Sequence, residues 1–193
     1  MGFEFLVVIG TVFMLPFVAA GFVAFWAMND RERTSLEGTW ESYAARRVRE
    51  LVPARGEWPN RSLPCVRWRK DGVRFELSVV GREARARTRL AVWPREHLAG
   101  RFVVEPTSTV HDEPPGLAAR ILDDSGRRAL LGFWQHDHVQ LRYQRGQLRL
   151  EWPGRESNDA RIDEAERVLA MLTRRLELSF EKPVIEELTS DLR

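Results

Sequence analysis

Apolar and polar residues follow different patterns along the chain, and each pattern predicts a different kind of element. Residues 5–28 form an apolar run in which Thr11 is the only clearly polar side chain. Residues 66–92 largely alternate between apolar and polar side chains, which is the period of a half-buried β-strand. Residues 162–176 place apolar side chains three and four positions apart, as in a helix with one buried face. The chain therefore predicts an N-terminal helix, a strand-rich centre and a C-terminal helix.

The N-terminal run is long enough to predict a transmembrane anchor over residues 1–28. The 24 residues from Phe5 to Met28 would span about 36 Å as a helix, whereas the hydrocarbon core of a bilayer is about 30 Å thick. A cleavable signal peptide and a buried soluble helix are the alternatives. The first normally begins with basic residues, and none precedes this run.

The charges that flank the run predict its orientation. No Lys or Arg precedes it, and several arginines follow, among them Arg31, Arg33 and Arg46. Positively charged flanks normally stay in the cytoplasm. We expect residues 5–28 to lie in the bilayer of a bacterial inner membrane as a single pass, with the N-terminus outside and the C-terminal domain cytoplasmic.

After a polar linker at residues 29–38, residues 39–180 predict one soluble α+β domain. A first helix is expected over about residues 40–52. Asp71-Gly72 and Arg145-Gly146 each separate two runs of alternating residues, which is typical of a two-residue hairpin turn.

The remaining segments complete the predicted fold. Residues 99–106 indicate another strand, and short helices are expected near residues 117–122 and after Ser125. Asn158 or Asp159 would cap the long final helix. The prediction is an antiparallel sheet of about six strands packed by helices, preceded by one N-terminal transmembrane helix and followed by an acidic C-terminal tail at residues 181–193.

Charge is distributed unevenly along the chain. Residues 67–101 hold ten basic and four acidic side chains, whereas residues 156–193 hold six basic and ten acidic ones. Strand alternation would bring one set of basic residues to the outward face of the paired strands: Arg67, Arg69, Arg74, Arg85, Arg87 and Arg89. These arginines are the predicted anion- or partner-binding residues.

The arginine row leaves two interpretations open. It can attract an acidic protein or anionic lipid headgroups, or it can be neutralised inside the molecule by Glu76, Glu83 and the acidic final helix. Trp68 and Phe75 alternate with the arginines and should be buried, so we expect no nucleic-acid partner. The function predicted is a protein- or membrane-surface-binding module with an unidentified protein partner.

Signatures of catalysis are not found in the sequence. It contains no Gly-x-Ser-x-Gly elbow, no Gly-x-Gly-x-x-Gly and no phosphate-binding loop. We assign no catalytic residue, no metal ligand and no cofactor. The alternative function is a membrane-tethered enzyme, such as a metal-dependent hydrolase that uses His111, His136 and His138. Cys65 is the only cysteine, which excludes an intramolecular disulfide.

One segment is similar to a known pattern. Residues 119–152, ARILDDSGRRALLGFWQHDHVQLRYQRGQLRLEW, resemble a stretch of bacterial membrane-anchored proteins of unknown function, in which a short helix with an R-x-L-L-like stretch precedes two strands. The resemblance covers about a third of the chain. It implies a bacterial source and a single N-terminal transmembrane helix followed by an α+β domain, and it implies no site residues.

Overall fold

The computed structural model describes residues 2–55, 62–81, 85–106, 109–134 and 138–181. In these residues the elements are, in chain order, α1 (Gly2–Arg46), β1 (Glu50–Val52), β2 (Cys65–Lys70), β3 (Val73–Val80), β4 (Arg87–Trp93), β5 (Arg101–Val104), β6 (Val110–Glu113), α2 (Leu117–Ile121), α3 (Asp124–Trp134), β7 (Gln140–Gln144), β8 (Gln147–Pro153) and α4 (Asp159–Glu181). The strands form one antiparallel sheet of eight in the order β1-β2-β3-β4-β8-β7-β5-β6. The α+β class is confirmed, whereas the prediction of about six strands is wrong.

Two tight turns set the register of the sheet, and both were predicted. Asp71 and Gly72 have φ values of 53° and 77°, and they join β2 to β3 with Lys70 opposite Val73. Arg145 and Gly146 have φ values of 54° and 71° and join β7 to β8 in the same way. Two consecutive positive φ values give a turn whose twist matches that of the flanking strands. Both predicted hairpins are confirmed.

The two strands that the sequence patterns missed are the short edges of the sheet. β1 lies where the first helix was expected to continue to residue 52, but the chain leaves the helix after Arg46 and Val48 has a φ of 53°. β6 lies in a stretch that is rich in turn residues. An edge strand pairs on one side only, so it needs little apolar alternation.

One face of the sheet and all described helices enclose the core. Along β3 the buried side chains are every second residue from Val73 to Val79, and on β4 Thr88, Leu90 and Val92 continue this pattern, with Ala91 buried as well. The largest fully buried side chains include Trp40, Tyr43, Phe75, Phe102, Tyr143 and Trp152. Residues from α1, α2, α3 and α4 belong to the same cluster, so these helices lie on this core face.

The apolar N-terminal run is part of a helix that continues into the domain. α1 extends without a break to Arg46, so the predicted linker at residues 29–38 is helical as well. Leu36, Trp40 and Tyr43 are buried at the C-terminal end of α1, whereas Met14 and Phe17 near the other end are 66% and 74% exposed. The charged residues that follow residue 28 therefore belong to the same helix as the apolar ones.

This continuity bears directly on the predicted anchor. Of the helices in the described ranges, none has both the length and the apolar character that a membrane crossing requires. The predicted transmembrane helix at residues 1–28 is therefore wrong. The single-pass placement in a bacterial inner membrane, with the N-terminus outside and a cytoplasmic C-terminal domain, is wrong for the same reason. The predicted acidic tail lies, from residue 182 onwards, outside the described residues.

A buried ion pair attaches the end of α1 to α4 and β2. Glu166 on α4 is 4% exposed. Its two carboxylate oxygens accept from Arg49 Nη2 at 2.5 Å and from Lys70 Nζ at 2.8 Å. The Arg49 guanidinium lies 4.0 Å from the ring centroid of Trp68 and 4.9 Å from that of Tyr43. The aromatic rings and the carboxylate together complete the surroundings of a buried cation.

Candidate anion-binding face of the sheet

The second face of the sheet carries the polar residues that alternate with the core positions. Successive side chains in a strand point to opposite faces, so these residues lie away from the core, and we call this surface the open face. All helices of the described chain contribute to the core, which leaves none of them on the open face. Its charged strand residues are four glutamates, Glu50, Glu76, Glu113 and Glu151, and eight arginines, Arg67, Arg69, Arg74, Arg87, Arg89, Arg101, Arg142 and Arg149.

Most of the predicted arginine row lies on this face. The strand register places Arg67, Arg69, Arg74, Arg87 and Arg89 there. Arg85 lies two residues before β4 and is exposed. The structure thus brings five of the six predicted residues onto one surface. Their role in binding an anion or a partner stays a prediction.

At the β2–β3 end of the open face, two arginines share one carboxylate. Arg67 Nε lies 2.8 Å and Arg74 Nη2 lies 3.2 Å from Glu76 Oε2. The Arg74 guanidinium also stacks over Trp93, 4.7 Å from the ring centroid. The interpretation in which the arginines are neutralised internally is therefore met here for Arg67 and Arg74.

The centre of the open face holds a second group of arginines around one glutamate. Arg89 Nε and Arg149 Nε lie 3.2 Å and 3.3 Å from the same oxygen, Glu151 Oε1. Arg142 stands directly opposite Arg149 across β7 and β8. We call Arg89, Arg142 and Arg149 the arginine trio. Glu151 is the one direct carboxylate partner of the trio among the described residues, so the three arginines and this glutamate together carry a net charge of +2.

Arg142 is positioned by an amide. Its Nε donates to Gln140 Oε1 at 2.8 Å, and Gln140 Nε2 donates to Glu105 Oε1 at 2.7 Å. Gln140 is 8% exposed, so the amide at the middle of this chain of hydrogen bonds is shielded from water. The arrangement fixes the inner edge of the guanidinium of Arg142 while its charge has no contacting carboxylate in the described part of the chain.

Two pairs of arginines oppose each other across neighbouring strands. Arg69 faces Arg74 between β2 and β3, and Arg142 faces Arg149 between β7 and β8. Like charges directly opposite in a sheet are destabilising, by roughly 0.2–1 kcal/mol per pair. A surface that retains such pairs is typical of a binding site, because local rules of stability are most often broken where function requires it.

Partial burial amplifies the repulsion inside the trio. The side chain of Arg149 is 19% exposed and that of Arg89 is 27% exposed. Burial lowers the pKa of Arg149 below its ordinary value, and the nearby charges of Arg89 and Arg142 lower it further, whereas Glu151 acts in the opposite direction. The buried Nε atoms of Arg89 and Arg149 also lack a well-aligned hydrogen bond to any described residue. A bound anion would offset the repulsion between the guanidinium groups.

The predicted alternative metal site gains no geometric support. His111 is an exposed residue of β6, and His138 is exposed after α3. His136 lies outside the described residues. In the ranges that the structure covers, no three His, Cys, Asp or Glu side chains come together as a metal site would require.

Sequence reasoning missed Arg101, Arg142 and Arg149, although the signal was present. Arg142 lies between Leu141 and Tyr143, and Arg149 lies between Leu148 and Leu150. This is the same alternation that identified the row on β2 to β4. The missing information was the pairing of β4 with β8, which places Arg89 opposite Glu151.

Comparison with known proteins finds a similar fold but no matching family. No protein-family model and no curated protein matches the sequence. A similar fold is found in the crystal structure of the mycobacterial trehalose monomycolate transport factor A, TtfA, with a TM-score of 0.56 and 12% sequence identity. The match covers 73% of this chain and 94% of that one. At this identity the likeness shows the fold alone, and the resemblance of residues 119–152 to bacterial proteins of unknown function stays a prediction.

Proposed function

We propose that this chain is a non-catalytic binding module whose open face binds an acidic segment of a protein partner. The observation that carries the proposal is the charge of that face, with eight arginines against four glutamates in its strands. An acidic segment would supply the carboxylates that the face itself lacks. Complementary charge of this kind speeds association and selects among partners.

The composition of the open face favours a protein over a nucleic acid. Arg and Trp are the residues that most often dominate protein–protein interfaces, and Arg74 and Trp93 stack together here. Recognition of single-stranded nucleic acid normally needs aromatic rings that are free to stack on bases. Trp93 is the aromatic residue of the described open face, and the guanidinium of Arg74 lies over its ring.

The structural relative supports a binding role. It is named as a transport factor, not as an enzyme. A sheet whose described helices all lie on one face is a suitable scaffold for binding at the other, because the strands hold the side chains of that face in a fixed array.

The proposal is tested with the full chain and a fluorescein-labelled oligoglutamate peptide, by fluorescence anisotropy. We expect binding that weakens as the salt concentration rises, because salt screens charge attraction. The triple substitution Arg67→Gln, Arg74→Gln and Arg89→Gln should weaken peptide binding at least tenfold, because it removes three positive charges from the open face. A tenfold loss corresponds to about 1.4 kcal/mol of binding free energy.

The matched control removes the same charge from the helical side. Arg120, Arg127 and Arg128 are exposed residues of α2 and α3, and replacing all three by Gln should leave peptide binding nearly unchanged. Equal losses in the two triple variants would show that net charge alone matters, and would overturn the proposal. Binding to vesicles of anionic phospholipid but not to the peptide would overturn the protein-partner form of it.

A further inference from the structure

We infer that the arginine trio binds one phosphate group carried by the acidic partner segment, an inference that rests on the function proposed above. The three guanidinium groups and the carboxylate of Glu151 leave two positive charges at the centre of the open face. A phosphorylated side chain carries a charge of about −1.5 to −2 at neutral pH. One such group therefore matches the excess charge, whereas a single carboxylate neutralises only part of it.

The hydrogen-bond donors of the trio are arranged for an external acceptor. Glu151 and Gln140 take the Nε edges of the guanidinium groups. At the outer ends of the side chains, Arg149 Nη1 has one long contact of 3.5 Å with Gln147 Oε1. The Nη atoms of Arg89 and Arg142 make no hydrogen bond to another described residue. Guanidinium groups donate in a planar fork that fits the oxygens of a phosphate.

The surface next to Arg142, the member of the trio that lines it, provides room for the side chain that carries the phosphate. A hollow of about 360 Å³ lies over β5, β6 and β7, and Arg142 is part of its lining. Val103 contributes apolar surface, while Arg101, His111 and Gln144 contribute polar atoms. A hollow of this size accommodates a small group. The acidic residues that line it already have partners, since Glu113 pairs with Arg101 of the same lining and Asp112 accepts from the backbone N–H of Ala118.

The arginine trio and the β2–β3 end of the same face differ in the carboxylate partners of their arginines. Arg67 and Arg74 already share Glu76, so an added phosphate there would compete with an existing ion pair. Arg142 has no direct carboxylate partner in the described chain, and it is the residue on which the phosphate preference should depend most. Arg67 therefore serves as a matched control from the open face itself.

The test compares two labelled oligoglutamate peptides that differ only in one central residue, phosphoserine in one and serine in the other. With the unmodified chain we expect the phosphopeptide to bind roughly tenfold more tightly or better, as hydrogen bonds between charged groups allow. Arg142→Gln should reduce this preference to about twofold or less, because it removes the fork that has no other anion to bind. Arg67→Gln should weaken both peptides alike and keep their ratio.

The outcomes distinguish a failure of the proposed function from a failure of the phosphate inference. If neither peptide shows salt-sensitive binding, the proposed function itself fails. If both bind equally well, or if Arg142→Gln retains the preference, the acidic-partner proposal stands and the phosphate inference is overturned. Inorganic phosphate is the remaining probe. Should it compete at concentrations as low as those of the phosphopeptide, the site would recognise the free ion and the partner-borne form would be overturned. Circular dichroism checks that each variant is folded.

Discussion

The core face and the open face of the sheet are made by the same strands, yet they differ in how well their polar groups are partnered within the chain. On the core side, large buried side chains have polar partners within the chain: the indole N–H groups of Trp40 and Trp152 both donate to Glu156. On the open face several arginines share too few carboxylates. Internal completeness stabilises a fold, whereas incompleteness leaves a surface able to bind. In the function proposed above, stability depends on the core face and recognition on the open face.

The sharpest contrast is between a buried and an exposed glutamate. Glu166→Ala should lower the free energy of unfolding by about 3–5 kcal/mol, because it removes the nearer carboxylate from the buried cation of Arg49 and leaves it Asp163 Oδ1 at 3.9 Å. Glu113→Ala removes the exposed pair with Arg101, whose side chains are 64% and 69% exposed, and should cost at most about 1 kcal/mol. Urea denaturation of both variants measures the two costs.

A double substitution checks the physical reason. Replacing Arg49 by Met together with Glu166→Leu removes both charges, and it should recover much of the stability lost in Glu166→Ala. Similar costs for Glu166→Ala and Glu113→Ala would show that the two sides of the sheet do not differ in the way described.

The tyrosines extend the comparison to pH. The chain has two, Tyr43 and Tyr143, and both are buried on the core side. Burial raises the pKa of both phenols above the ordinary value, which is about 10. The folded chain therefore keeps protons that the unfolded chain releases, so the free energy of unfolding falls as the pH rises past about 10.

Ultraviolet absorbance of tyrosinate and urea denaturation together measure this effect. Tyr143→Phe keeps the ring that stacks on Phe102 and should make the alkaline loss of stability smaller. A tyrosinate signal that develops in the folded chain with an ordinary pKa would contradict the prediction.

The smallest expected effect is a gain in stability, whereas most substitutions lower the stability of a protein. Arg69 faces Arg74 and makes no ion pair with the residues that the structure covers. Arg69→Thr should therefore raise the free energy of unfolding by roughly 0.2–1 kcal/mol. At high salt concentration the gain should shrink, because the repulsion is screened.

A neighbouring position on the same strand provides the control. Arg67→Thr removes the pair with Glu76, whose partners are 40% and 20% exposed, and should lower stability by at most about 1 kcal/mol. If both variants lose stability, strand propensity outweighs charge on this face and the assignment of recognition to it weakens.

The two hairpins, the arginine row and the final helix were predicted from the sequence because each depends on residues that are close together along the chain. The two hairpins followed from Asp71-Gly72 and Arg145-Gly146 because positive φ values at a two-residue turn restrict the residue types. The arginine row followed from the strand period alone. The final helix followed from its apolar spacing and from Asn158, whose Oδ1 accepts from the backbone N–H of Ala160 at 3.0 Å.

Contacts between distant segments were out of reach of the same reasoning. The arginine trio depends on β4 pairing with β8 and on β8 pairing with β7, and periodicity within a strand carries no information on which strands become neighbours. The helical state of residues 29–38 was missed because their polarity indicated a linker. Yet Arg, Glu and Leu favour helix, and no Pro occurs among these residues.

The unbroken path of α1 has a geometric consequence. Each residue of a helix turns the following one by about 100° about the axis. The docked positions around Trp40 therefore fix the direction in which the exposed apolar side chains near Phe17 and Phe22 project. One residue added between them would rotate that projection by about a quarter of a turn relative to the sheet, whereas seven would nearly restore it.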